Sequence, residues 1–398
     1  MQQFRSFRLP RFILTAPIVT IVVVVMVITI VVIVMTRGAA FAAPDAAALD
    51  PALAAHVNQI AQTPVGRGRV MGLMVGVRVG NREQVFSYGS VVRGGGHPTP
   101  ATIFQIGSVT KAFTATLLAL FAVRNLVNLD DPLQSYVPGW VAVPKFNGQP
   151  ITLLDLATHT ADLPRDPPLR DVRYLSTDQM YRYLVSIELD RPPGSRFSYS
   201  NLGFALLAHA LMAAVGSRYE PMVESYICGP LDMVDTRVNL TPADITRRAQ
   251  GYGFDGQPAR FDMRTWPAFN GAGALNSTMT DMMKFLAFNM GATKTPLDVT
   301  LPILRKPRLM AGAPGREIAL GWELIPLAPG DLRTIIKKDG ATDGFSAYVG
   351  YVMDTSTGVV ILANQRFPVD WLGVRILRAL NAPVGPAISS PLSATQAR

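Results

Sequence analysis

Residues 108–123 read SVTKAFTATLLALFAV. From Ala112 to Val123 the stretch carries no charge and has no polar face, which is the pattern of a helix buried on all sides. Ser108-Val109-Thr110-Lys111 therefore stands at the mouth of a central helix. Residues three apart share a helix face, so Lys111 can reach the hydroxyl of Ser108. A serine hydroxyl is a weak nucleophile until a base takes its proton. Burial against the apolar helix, and the positive end of its dipole, would lower the lysine pKa. The same dipole favours an alkoxide and a developing oxyanion at the helix start. S-x-x-K is common by itself, but this chain has seven lysines, and only Lys111 has a serine three places before it.

On the amino-terminal side, a linker over 43–50 leads to a first helix at Pro51–Thr63. Two β-branched strands follow, Val70–Val79 and Gln84–Tyr88, joined at Gly80-Asn81 by a hairpin signal. On the other side, residues from Asp130 to about Gly256 read as mostly helical, with Pro-rich loops at 164–168 and 192–193. Thr278, with Asp281 three residues on, opens a further helix with capping chemistry. Strands return at Ala319–Leu324, Thr334–Lys337, Ser346–Met353 and Gly358–Ala363, followed by a helix at Trp371–Leu380 and a loose tail over 383–398. Strands at both ends of a helical middle imply one α/β unit over 51–382, with an inserted all-α lobe at about 130–256. A ligand cleft between the two is the expectation.

Two further elements carry chemistry. Tyr199-Ser200-Asn201 follows Pro192-Pro193-Gly194 and is the only Y-x-N in the chain. A phenol near ammonium groups can be held as phenolate, take the Ser108 proton and return it to a leaving amine. Asn201 can donate and accept, holding Lys111 and a substrate amide. Lys338-Asp339-Gly340-Ala341-Thr342 ends a strand. Gly340 there lets a substrate backbone lie against the strand edge, and the Ala341 amide could join that of Ser108 as an oxyanion hole.

The tetrad, Y-x-N and K-x-G, in that order, resemble the serine β-lactamase and penicillin-binding-protein superfamily. The tyrosine of the middle element is similar to the class C branch. Phe104-Gln105-Ile106-Gly107-Ser108, Leu129-Asp130-Asp131-Pro132, Gly229-Pro230-Leu231-Asp232-Met233 and Gly271-Ala272-Gly273-Ala274-Leu275 agree with it. Ile151–Pro164 and Pro193–Phe204 resemble, more narrowly, D-alanyl-D-alanine carboxypeptidase/endopeptidases of the AmpH type. The resemblance spans about residues 52–382. It implies an antiparallel sheet flanked by helices, with Ser108 acylated, Lys111 and Tyr199 as base partners, and Asn201 positioning. It also implies that Lys338 binds substrate and orients Tyr199, and that Ala341 supplies an oxyanion amide. Such an enzyme trims peptidoglycan stem peptides, binds β-lactams with weak or no hydrolysis, and uses no cofactor or metal. A class C-like esterase or β-lactamase is the alternative, and a silent binder of wall fragments the third reading. Two departures stand out. Asp339 replaces the usual Thr or Ser, and Val369-Asp370-Trp371-Leu372 replaces the usual carboxylate-reading Asn and Arg.

Charge and hydropathy place the chain. Of its 398 residues 49% are hydrophobic and 16% charged, which excludes a disordered or coiled-coil protein. The net charge is +9, but residues 1–42 hold Arg5, Arg8, Arg11 and Arg37 with no acid, leaving a scattered +5 and no nucleic-acid signature. Residues 12–36 carry no charge and, as one helix, are long enough to cross a bilayer core. The arginines before them place the amino terminus in the cytoplasm. Ala40-Phe41-Ala42 offers a cleavage site, so the segment is either a signal peptide or an anchor. Either way the enzyme is expected in the periplasm. The lone cysteine, Cys228, excludes a disulfide framework and reads as a buried inert thiol. His159 reads as a structural loop residue, while His56, His97 and His209 have no metal-ligand spacing. Residues 165–173 read as a solvated loop at the cleft rim.

Overall fold

The computed structural model describes residues 47–168, 175–259, 266–312 and 314–382, all within one compact unit. The apolar segment 12–36 and the tail 383–398 lie outside the described residues. The sheet has eight antiparallel strands: β1 (Gly72–Val79), β2 (Arg82–Gly89), β3 (Leu309–Met310), β4 (Glu317–Ile318), β5 (Glu323–Pro326), β6 (Thr334–Ala341), β7 (Ser346–Val352) and β8 (Thr357–Ala363). Their spatial order is β2-β1-β8-β7-β6-β5-β4-β3. The first and last strands of the sheet in chain order thus lie side by side, with Leu73 opposite Ala363 and Val79 opposite Thr357.

Strand alternation sorts the side chains onto two faces. Leu73, Val75 and Val77 pack with Val57 and Ile60 of α1 (Pro51–Gly66) and with Leu372 and Ile376 of α6 (Asp370–Leu380). Met74 points the other way, into the larger core. There α5 (Met279–Met290) lies so close that a Cβ on Gly76 would meet the Met283 sulfur at 2.5 Å. Thr278 caps α5 by accepting from the Asp281 amide, as its spacing predicts.

Every residue of α2 (Thr110–Val123) from Thr110 to Phe121 is buried, and Phe113 stacks on Phe285 of α5 at 4.0 Å. Each such leucine or phenylalanine contributes about 1.5–3 kcal/mol on burial. The core of the helical region is continuous with the inner face of the sheet. That region holds α3 (Thr177–Val185), α4 (Asn201–Val215) and several shorter helices. It is less helical than its sequence suggests: loops are extensive, and Lys145–Phe146 pairs with Gln149–Pro150.

The expected strand Ala319–Leu324 is not continuous: Ala319–Trp322 form the turn that follows β4, and only Glu323 and Leu324 lie in a strand, at the start of β5. Gly321, at φ +70°, turns the chain, and a Cβ there would lie 2.9 Å from Ala115 and 3.0 Å from the Lys111 carbonyl oxygen. The strand yields because α2 already fills that space. In the other direction, β6 continues four residues past Lys337 and ends at Ala341.

Candidate active site

Gly107–Val109 form a single 3₁₀ turn that feeds directly into α2. Gly107 adopts φ +49°, and a Cβ on it would lie 2.8 Å from the backbone of Ala341. A Cβ on Gly340 would reach the Ile106 carbonyl oxygen at 2.2 Å and the amides of Ser108 and Val109 at 2.8 Å. Two glycines facing each other thus let β6 lie directly on the nucleophile turn. β5 pairs with β6 only from Thr334 to Lys337. Among the described residues, no strand pairs with Lys338–Ala341 on that side, so a free edge runs past Ser108.

The three sequence elements converge here. Lys111 is fully buried and donates to Ser108 Oγ at 3.1 Å, Asn201 Oδ1 at 2.8 Å and the Ala272 carbonyl at 2.5 Å. Burial pushes its ammonium down to about 8; Tyr199 opposes this, and Lys338 and Arg165 add to it. Tyr199 OH donates to Ser108 Oγ at 2.8 Å. Burial alone would raise the phenol, but Lys111 and Lys338 outweigh it and bring Tyr199 down to about 8. Lys338 is 3% exposed, with its Nζ 5.0 Å from the Tyr199 ring centre.

Asn201 opens α4, and Ser200 caps that helix by accepting from the Gly203 amide. The Asn201 side chain bridges Lys111 and Asp166, donating to the Asp166 carboxylate at 2.8 Å. Its amide nitrogen is thus directed at Asp166, a partner the Y-x-N spacing does not reveal.

The cleft beside Ser108 has a volume of about 350 Å³. Besides Ser108, Tyr199, Lys338, Gly340 and Ala341, it is lined by Arg165, Arg316 and Arg366, and by Glu323 and Asp339. Of these three guanidinium groups, Arg165 falls on the loop expected at the cleft rim, while Arg316 and Arg366 are unforeseen in the sequence. Arg165 is exposed at the rim, as expected, and sits 4.9 Å over the Tyr199 ring, while Arg170, Asp171 and Arg173 lie outside the described residues. Arg316 follows a Gly/Pro turn and lies 5.5 Å over Phe197, paired with Glu323 at 2.8 Å. Glu323 also pairs with Lys337, and Lys337 with Asp370. The Asp370 that stands in the departing segment is therefore tied to the ion cluster beneath the cleft. Cys228 is buried, and burial pushes its thiol up to about 12.

The family model for Beta-lactamase matches residues 57–382. The D-alanyl-D-alanine-carboxypeptidase/endopeptidase AmpH of Escherichia coli K12 is 33% identical over 310 residues, covering 74% of this chain and 79% of that protein. A beta-lactamase of Pseudomonas fluorescens is 29% identical over 329 residues, covering 75% and 90%. Among solved structures, a beta-lactamase/D-alanine carboxypeptidase from Pseudomonas syringae superposes with a TM-score of 0.73 at 24% identity, covering 84% of this chain and all of that one. A class C beta lactamase from Rhodobacter sphaeroides superposes at 0.70 with 26% identity, covering 83% and 97%. The chain belongs to the Beta-lactamase family and is a serine hydrolase of that superfamily.

Proposed function

We propose that the protein is an exported D,D-peptidase that cleaves peptidoglycan stem peptides through an acyl-enzyme on Ser108. The observation that carries this reading is the hydroxyl of Ser108, held between Lys111 and Tyr199 beside an unpaired strand edge. Deprotonated Tyr199 takes the Ser108 proton, and Oγ bonds to the carbonyl carbon. The oxyanion is placed toward the amides of Ser108 and Ala341. Collapse breaks the peptide bond, and Tyr199 passes the proton to the leaving amine. Water then attacks the ester and gives a proton to Tyr199, which passes it to Ser108 Oγ as the ester C–O bond breaks, so the free acid leaves and both Ser108 and the phenolate are restored.

The free edge of β6 suits an extended peptide, which can add to it as a strand. The cationic lining suits the carboxylates of an acidic peptide. The likeness to AmpH supports the same substrate class. Export rests on residues 12–36 and the arginines that precede them. The likeness to the Pseudomonas fluorescens enzyme favours a second reading, β-lactam or ester hydrolysis on the same site.

Digestion of purified peptidoglycan by the full chain, with identification of the fragments, separates the two. Loss of terminal D-alanine, or cleavage of cross-links, is expected, alongside slow turnover of a cephalosporin. A labelled penicillin should form a stoichiometric adduct that Ser108→Ala abolishes. Labelling that survives in Ser108→Ala would sink the assignment.

A further inference from the structure

We propose that His159 is a positioning residue that clamps the chain on both sides of Tyr199 and so sets the phenol against Ser108. The inference rests on the acyl-transfer reading above.

His159 plays no part in the Ser–Lys–Tyr chemistry, yet it is 4% exposed and lies against the base. Its backbone carbonyl accepts from the Ser198 amide at 2.7 Å. Its ring Nδ1 accepts from the Ser200 amide at 3.1 Å. Residues 198 and 200 flank Tyr199, so one residue holds both ends of the tripeptide. The imidazole also lies along the Tyr199 ring, with centres 4.3 Å apart and planes tilted by 33°. Phe204 and Phe197 close its other sides at 4.9 and 5.7 Å. Carbonyl and ring both point at one strand of chain because His159 is in the left-handed region, φ +60°, which a non-glycine residue adopts only when its surroundings impose it.

The clamp works only with a neutral imidazole, because a protonated Nδ1 would be a donor facing another donor. The surroundings keep it neutral. Burial, then Lys338 from β6, Lys111 from α2 and Arg165 from the loop before α4, hold it well below its ordinary value. Tyr199 is the titratable group whose ring lies against it. The tautomer assigned by the Ser200 bond carries its proton on Nε2.

The test is acylation of the detergent-solubilised full chain by a fluorescent penicillin, followed in time across pH 5–10. In His159→Phe the ring remains and the acceptor is lost. Its acylation rate should fall about 10–100-fold, as a shift of the base by about 1 Å would do, with pre-covalent affinity unchanged. The ionisation limb near pH 8 should move upward as the phenol leaves its cations. Asn tolerates the left-handed backbone and offers Oδ1 in place of Nδ1, so His159→Asn should restore the position of the limb. A purely structural loop residue would change stability and leave the limb where it is; a folded His159→Phe with wild-type rate and limb overturns the proposal. Independently, ¹⁵N-histidine spectra of the wild type, with His159 assigned by the Asn variant, should show an Nε2–H ring that does not titrate between pH 5 and 8. A midpoint near the ordinary 6.5 overturns it even where His159→Phe fails to fold. Absence of any penicillin adduct on the wild type would instead strike the acyl-transfer reading, and the ring spectra would still decide the clamp.

Discussion

The Nζ of Lys111 and the phenol oxygen of Tyr199 converge on one atom, the Oγ of Ser108, from 3.1 and 2.8 Å. Each disfavours the other's protonated or neutral extreme, so the two titrate as a pair rather than singly. Both are brought to about 8, Lys111 chiefly by burial and Tyr199 by the cations that outweigh its burial. At pH 7 a group at about 8 is about one-tenth deprotonated, against about one-thousandth for an ordinary phenol. The base form grows as pH rises, so acylation by a penicillin should increase up to about pH 8 and level off above it. Tyr199→Phe should remove that limb and lower the rate by about 10²–10⁴-fold. Stopped-flow acylation against pH reads both, and a flat profile in the wild type would refute the pairing.

The close approach of β6 to the nucleophile turn gives a second expectation. A methyl at Gly340 has no room, since it would meet the Ile106 carbonyl and the Ser108 and Val109 amides at 2.2–2.8 Å. All three contacts are backbone, which cannot swing aside as a flexible side chain would. Gly340→Ala should therefore displace Lys338 and Ala341 from Ser108 and cut acylation by about 100-fold or more. Far-ultraviolet dichroism should stay near wild type, because the strand pairs on its other side from Ile335 to Ala341. Unchanged acylation in Gly340→Ala would show that the β6 backbone is not part of the site.

The sequence carried the catalytic centre better than it carried the cleft. Ser108 and Lys111 are legible because one helical turn relates them, and Tyr199 and Asn201 because they stand two apart in the chain's only Y-x-N. Arg316 and Glu323 are not. They become neighbours only through the β4–β5 turn, which forms because Gly321 must avoid Ala115 on α2. Lys337 and Glu323 are likewise opposite each other only in the β5–β6 register. The same limit applies to the sheet: β1 is readable as a strand, but nothing local says that it pairs with β8, about 290 residues away. His159 reads in the sequence only as a structural loop residue, because its contacts with Ser198 and Ser200 are made by the fold.

The guanidinium lining bears on substrate choice. Arg316 is held over Phe197 and against Glu323, so its direction is set before substrate arrives. A charge-assisted hydrogen bond of this kind is worth about 1.5–3 kcal/mol, or roughly 10–100-fold in binding. Arg316→Ala should raise KM by about that factor for a stem peptide with free carboxylates, and leave a neutral nitrophenyl ester within about twofold. Glu323→Gln, which frees Arg316 without removing it, should give an intermediate KM. Equal losses on peptide and ester would mean that Arg316 supports the site's shape rather than reading charge.

Beneath that arginine, Lys337 bonds to Glu323 at 3.3 Å and to Asp370 at 2.7 Å, with the lysine and the glutamate both largely buried. Removing one partner of a buried pair strands the other charge, a loss of about 3–5 kcal/mol, whereas an exposed partner contributes about 0–1 kcal/mol. Asp370 is half-exposed, so Lys337→Ala should destabilise the chain by about 3 kcal/mol and Asp370→Ala by under about 1. The pH dependence follows from the two directions. Burial raises the Glu323 carboxyl, but Lys338, Lys337 and Arg316 outweigh it, and the group lies below its ordinary value. Its stabilisation is therefore complete above the unfolded carboxyl value and is lost as pH falls through the lower folded one. Burial lowers Lys337, but Glu323 and Asp370 outweigh it and raise the group, so its share is complete below the unfolded lysine value and is lost as pH climbs through the higher folded one. Urea unfolding of Lys337→Ala across pH 3–7 should show a shallower acid loss than the wild type, because Glu323 has lost a cation that held it ionised. An acid limb as steep as the wild type's would mean that Arg316 and Lys338 alone keep Glu323 ionised.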